Sequence, residues 1–156
     1  MRLDRLHIQN FRCYEDATFD FQPRFNLVVG VNGSGKTSLL QAIAVSFIEF
    51  GNAVKPSQIS IKDEDIRFVI DRFENRSRFE RQYPLLVQGT GLFLGATEWI
   101  LKRDGDSFPP LVNSAFDAEM VKLKQKINLA MPIDLPVLAF YRSNRRWQGA
   151  GVSAEF

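Results

Sequence analysis

At 156 residues, with 45% hydrophobic residues and 14 Phe, the chain has apolar material for one ordinary domain and falls outside the disordered and low-complexity classes. Its formal net charge of +2 is too small to argue for a nucleic-acid surface from charge balance. A single cysteine, Cys13, excludes an internal disulfide and suits a reduced, cytoplasmic protein in which the thiol is a small packing residue; Arg2, Asp4 and Arg5 interrupt any signal-like run, and no apolar stretch is long enough to span a bilayer.

The opening "RLDRLHIQNFRCYEDATFDF" predicts two strands around a polar turn. Leu6 and Ile8 alternate with polar neighbours, Phe19 and Phe21 repeat the pattern, and Pro23 ends the pair. His7, the sole histidine, falls in the first strand, where an edge or core position is expected rather than a switch. Residues 25–29, "FNLVV", form a short and nearly continuous apolar run, the pattern of a parallel strand covered on both faces. A helix follows over residues 36–50: Leu39, Ile43, Phe47 and Phe50 recur at helical spacing, and Gly51 stands where a stop is wanted.

Between that strand and that helix lies "GVNGSGKT", residues 30–37, with the spacing G-x-x-x-x-G-K-[ST] of a phosphate-binding P-loop. A phosphate chain needs many donors around it, and a tight turn supplies them from backbone N–H groups only where side chains are absent. Gly30, Gly33 and Gly35 meet that need. The helix adds the positive end of its dipole at the same place. Lys36 is expected on the β- and γ-phosphates, and Thr37 on Mg²⁺; Asn32, Ser34 and Ser38 complete the candidate set. A glycine turn without a ligand is the bland alternative, yet ordinary residue frequencies give this spacing by chance in only about 0.5% of chains this long.

After Gly51 the pattern weakens into a charged, irregular stretch that predicts an exposed excursion with short elements. Two β segments follow at residues 85–88 and 97–102, with glycine turns between and after them. A second helix is expected near residues 114–130: Ser114 with Asp117 makes a capping box, Phe116, Met120, Leu123, Ile127 and Ala130 form one apolar stripe, and Pro132 closes it. Lys122, Lys124 and Lys126 read as a solvated face. "LPVLAFY" is a further buried-strand run whose carboxyl end delivers Arg142, Asn144 and Arg145, either to the P-loop edge of a parallel sheet or as an exposed basic tail.

Hydrolysis at a P-loop needs a second acidic residue for Mg²⁺ and a group that orients water. The nearest acidic strand end, "RFVID", is broken by Arg67 and followed by Arg72, so Asp71 fits it poorly. No glycine-rich LSGGQ-like helix start is present, and the chain carries half of a hydrolytic site.

Taken together, "LHIQNFRCYEDATFDFQPRFNLVVGVNGSGKTSLLQAIA" resembles the N-terminal opening of the ABC-type ATPases of the SMC and RecF class. "KDEDIR", "YPLLV", "TEWILKR" and "LPVLAFYRSNRRW" are similar to bacterial AAA_23-like ATP-binding proteins, the group that includes the PtuA-like ATPases of retron and Septu anti-phage systems. Phe140 and Ser143 depart from that group's usual aromatic and glycine. The resemblance implies ATP and Mg²⁺ as ligands, with Arg12 and Tyr14 near the nucleotide, Asn32 facing the γ-phosphate, and a Q-loop glutamine at either Gln88 or Gln148. It also implies a C-terminal lobe or second ATPase head, with ATP sandwiched in a dimer, and DNA or a nuclease or reverse-transcriptase partner.

The expected fold is an α/β P-loop NTPase of ABC-ATPase type with a mixed sheet and an N-terminal antiparallel layer. Residues 1–156 would form a single domain, the Walker A lobe of an ATPase head from a repair or defence system. Two other functions compete: a self-contained small P-loop kinase using Asp65 or Asp71, and a non-catalytic module whose basic segments at residues 72–81 and 142–146 bind DNA or protein.

Overall fold

The computed structural model describes residues 1–54, 61–73, 76–106, 111–112 and 114–141. Its main sheet has five strands: β1 (Arg2–Phe11), β2 (Tyr14–Asp20), β5 (Leu85–Phe93), β6 (Ala96–Arg103) and β7 (Leu111–Val112), in the order β2-β1-β5-β6-β7. A separate two-stranded hairpin pairs β3 (Phe68–Phe73) with β4 (Arg76–Arg81). Three α-helices, α1 (Lys36–Ser46), α2 (Ile48–Val54) and α3 (Ser114–Asn128), and a single 3-10 turn at Asp63–Asp65 complete the described elements.

The expected N-terminal pair forms as β1 and β2, closed by a two-residue turn at Arg12 and Cys13. Alternation decides which face is covered. Leu6 and Ile8 are fully buried beneath α1, together with Phe11, Leu85, Val87 and Leu101. Arg5 and His7 point to the other face, where they meet Asp20 at 2.6 Å and Asp16 at 3.1 Å across the strand pair. One face is core and one is wet, as antiparallel sheets allow.

Every strand pairing among the described residues is antiparallel, so the expected mixed sheet is not the one observed. The reason lies in two apolar runs. Residues 25–29 form no strand, and Phe25, Leu27 and Val29 are about three-quarters exposed at 76%, 73% and 77%. Residues 135–141 likewise form no strand, and Val137 is 91% exposed. Both had the composition of a parallel strand; neither has a neighbouring strand to pair with among the described residues.

The first helix also departs from expectation. Gly51 does not stop it: α1 ends at Phe47, whose N–H turns to the carbonyls of Ala44 and Val45, and α2 then runs through Gly51 to Val54. The two helices meet at 48°. This bend drops Phe47 into an aromatic cluster, 5.0 Å from Phe93 and 5.3 Å from Trp99 between ring centres. Phe50, Phe116, Met120 and Leu123 join the same cluster, so burial of α2 and the apolar stripe of α3 outweighs the weak helix propensity of Gly51. Ala130 lies past the end of α3 and is exposed, and the Ser114 side chain of the expected cap is outside the described residues. Lys122, Lys124 and Lys126 are exposed as expected. Among the described residues no single helix is long and apolar enough to cross a membrane.

Candidate functional site

Residues 30–34 form an exposed loop that runs through the half-buried Gly35 into α1. Gly33 and Gly35 stand at φ +86° and +91°, a region that side chains rarely tolerate, so the backbone itself requires glycine at both. The Ser34 N–H donates to the Val31 carbonyl at 3.2 Å and closes the turn. Gly30 packs against Ser34, whose Oγ would lie 2.7 Å from an added Cβ. Lys36, the first residue of α1, folds back so that its Nζ donates to the carbonyls of Gly30 and Val31, both at 2.7 Å. The ammonium therefore stays on the loop.

The N–H groups of the first turn, from Lys36, Thr37 and Ser38, have no carbonyl one turn earlier inside the helix. The positive end of the α1 dipole falls on the same spot, and no acidic residue in that turn competes for it. Backbone donors, a helix terminus and an ammonium held on the loop together fit a phosphate chain. Thr37 is exposed beside them. No group of three or more His, Cys, Asp or Glu that could hold a metal occurs among the described residues. A Mg²⁺ here would rest on the Thr37 hydroxyl and the ligand's own phosphate oxygens, an arrangement common for this cation.

Arg12 stands in the two-residue turn between β1 and β2, and Tyr14 opens β2 directly after it. The Arg12 guanidinium places both Nε and Nη2 2.6 Å from Asp65 Oδ1. Asp65 is fully buried; its Oδ2 accepts the Lys62 N–H at 3.0 Å, and its carbonyl accepts the Arg12 N–H at 2.8 Å. Tyr14 Oη donates to the Gly35 carbonyl at 3.1 Å. Both side chains are thus occupied by protein partners. Asp65 is the residue that sequence reasoning missed in this role, because "KDEDIR" reads as a solvated charge run and nothing in its pattern marks one carboxylate as buried.

The alternative acidic partners do not gather at the loop. Asp65 is committed to Arg12, and Asp71 lies inside the antiparallel β3–β4 hairpin opposite Arg78, not at the end of a buried parallel strand. Gln88 sits within β5 and bonds Glu98 on β6. Arg142, Asn144, Arg145 and Gln148 lie outside the described residues.

An α/β unit with a glycine loop feeding a helix N-terminus is consistent with a P-loop nucleotide-binding protein. The chain belongs to the AAA_23 family of AAA domains, which matches residues 5–128. It is similar to the "DNA replication and repair protein RecF" of Psychromonas ingrahamii, 60% identical over 43 residues that make up 28% of this chain and 12% of that protein. The RecF of Protochlamydia amoebophila is 54% identical over 43 residues, with the same coverage. The RecF of Salmonella arizonae is 44% identical over 72 residues, 45% of this chain and 20% of that protein. The chain therefore spans a small fraction, 12% to 20%, of the curated relatives it matches.

Proposed function

We propose that the chain is the Mg·ATP-binding lobe of an SMC/RecF-like ATPase. The observation that carries this reading is the loop at residues 30–37: two glycines in the left-handed region, a helix N-terminus, and the Lys36 ammonium already seated on the loop backbone. The main-chain donors and Lys36 bind and orient the phosphate chain, and Asn32, Ser34 and Ser38 border it. Thr37 holds the cation, which when bound neutralises charge on the phosphate oxygens.

Turnover needs an acidic residue and a water-orienting group, and the acidic candidates of this chain are placed elsewhere. Hydrolysis is accordingly proposed to draw on a C-terminal lobe or a second ATPase head. The apolar runs at residues 25–29 and 135–141 support this, since exposed apolar side chains such as Phe25, Leu27, Val29 and Val137 are a ready surface for another chain or lobe. The process served is proposed to be DNA repair, by likeness to RecF, or anti-phage defence, with DNA or a nuclease or reverse transcriptase as partner. A self-contained kinase built on Asp65 or Asp71 is disfavoured by the ion pair and the hairpin just described.

Calorimetric titration with Mg·ATP tests the reading. The native chain should bind saturably, and Lys36→Ala should bind about 10- to 100-fold more weakly, the worth of a charged hydrogen bond. Absence of heat with the native chain would end it.

A further inference from the structure

The hairpin tip meets the phosphate loop at one peptide. The bond joining Gly35 to Lys36 is trans, so its carbonyl and its N–H point in opposite directions. The Gly35 carbonyl accepts twice: from the Leu39 N–H at 2.9 Å, which is the first bond of α1, and from Tyr14 Oη at 3.1 Å. With the carbonyl drawn back to the helix and the tyrosine, the Lys36 N–H faces out of the helix start, among the other first-turn donors.

We propose that Tyr14 is a positioning residue for phosphate binding: by holding the Gly35 carbonyl it sets the direction of the Lys36 main-chain donor without itself touching the nucleotide. The proposal rests on the nucleotide-binding reading above and assigns this tyrosine a different duty from the direct contact that family resemblance implies.

Three features support it. The tyrosine is rigidly held: it pairs with Phe11 at the hairpin end, and its ring stands edge-on to Phe19, 5.4 Å between centres at 76°. The tip it belongs to is itself fastened, because Arg12 is locked by side chain and backbone to the fully buried Asp65. Finally, the approach to Gly35 is close: an added Cβ would stand 2.7 Å from Tyr14 Oη and 2.9 Å from Cys13 Sγ. Glycine at this position of the motif thus admits the brace as well as the left-handed turn. Burial raises the Tyr14 pKa, with Cys13 adding to it, so the phenol keeps its proton and its donor role at neutral pH. A donor on one end of a peptide also polarises it, strengthening the N–H at the other end.

The test compares the full chain with Tyr14→Phe, which removes only the hydroxyl. Mg·ATP affinity should fall about three- to tenfold, the net worth of one hydrogen bond, while the melting temperature falls by no more than a few degrees. In the nucleotide-free protein, the Lys36 amide resonance should shift, a change that a purely packing role for the ring would not produce. Equal affinity of the two proteins would overturn the proposal. If the native chain bound no Mg·ATP, the nucleotide reading would fail separately, and the Lys36 resonance would judge the brace: moved by Tyr14→Phe it stands, unmoved it falls. Should Tyr14→Phe unfold, Phe19→Leu, which loosens the ring but keeps the hydroxyl, gives the second measurement. A smaller shift of the Lys36 resonance in the same direction supports the brace, and none overturns it.

Discussion

Two parts of this molecule have similar apolar composition and opposite fates. In β1 and β5, Leu6, Ile8, Phe11, Leu85 and Val87 are wholly buried; in residues 25–29 and 135–141, Phe25, Leu27, Val29 and Val137 stand largely in solvent. The difference is supply of neighbours. Each buried strand finds its partner within the described chain by antiparallel pairing, β1 with β2 through a two-residue turn and β5 with β6 through another short one. A parallel strand has no such local partner and must be met from elsewhere. Hydrophobicity marks a segment for burial; pairing decides whether it happens.

The largest effect that separates the two parts is core truncation. Phe11→Ala should cost about 3–5 kcal/mol in denaturant unfolding, while Val137→Ala should stay within about 0.5 kcal/mol. A matching loss at Val137 would mean that residues 135–141 are packed in solution.

A middle-sized effect concerns association. The exposed runs should make the protein self-associate as concentration rises, and Val29→Asp combined with Val137→Asp should shift it toward a monomer in light scattering. A clean native monomer at high concentration would show that these runs are not adhesive.

The smallest effect sharpens the comparison at a third place, where charge fastens what apolar packing does not. The β3–β4 hairpin, with Phe68 and Phe79 exposed, is tied at its base by Arg81 to Asp63 at 3.0 Å and to Asp106 at 2.7 Å. Hydrogen bonding from Tyr83, then from Arg81, holds the Asp106 carboxyl below its ordinary value. A lowered folded pKa means that the contribution is complete above the ordinary carboxylate range and is lost as pH falls through the folded value. The denaturation midpoint of the native protein should therefore drop more steeply below about pH 4 than that of Asp106→Asn. Parallel curves would show that the pair adds nothing, as exposed pairs often do.

Much of the site was legible in residue order. The motif required a sharp loop at Gly33 and Gly35 and a helix opening at Lys36, and all three are where the spacing put them, because a phosphate loop is a local structure written in consecutive residues. Arg12 and Tyr14 were flagged through resemblance, yet their contacts could not be read: Asp65 is 53 positions from Arg12, and Gly35 is 21 from Tyr14. No periodicity reports such pairs. The bend at Phe47 was hidden for the same reason, since the aromatic cluster that rewards it gathers Phe93, Trp99 and Phe116 from distant segments.

Residue order alone determined the local elements: the two-faced alternation of β1, the glycine loop and the apolar stripe of α3, each encoded within one or two turns or a few strand positions. Tertiary structure alone decided which apolar runs were buried, which carboxylate in a charged stretch took the arginine, and where the first helix broke. Those outcomes depend on what stands opposite each residue in space, and a one-dimensional pattern carries no record of that.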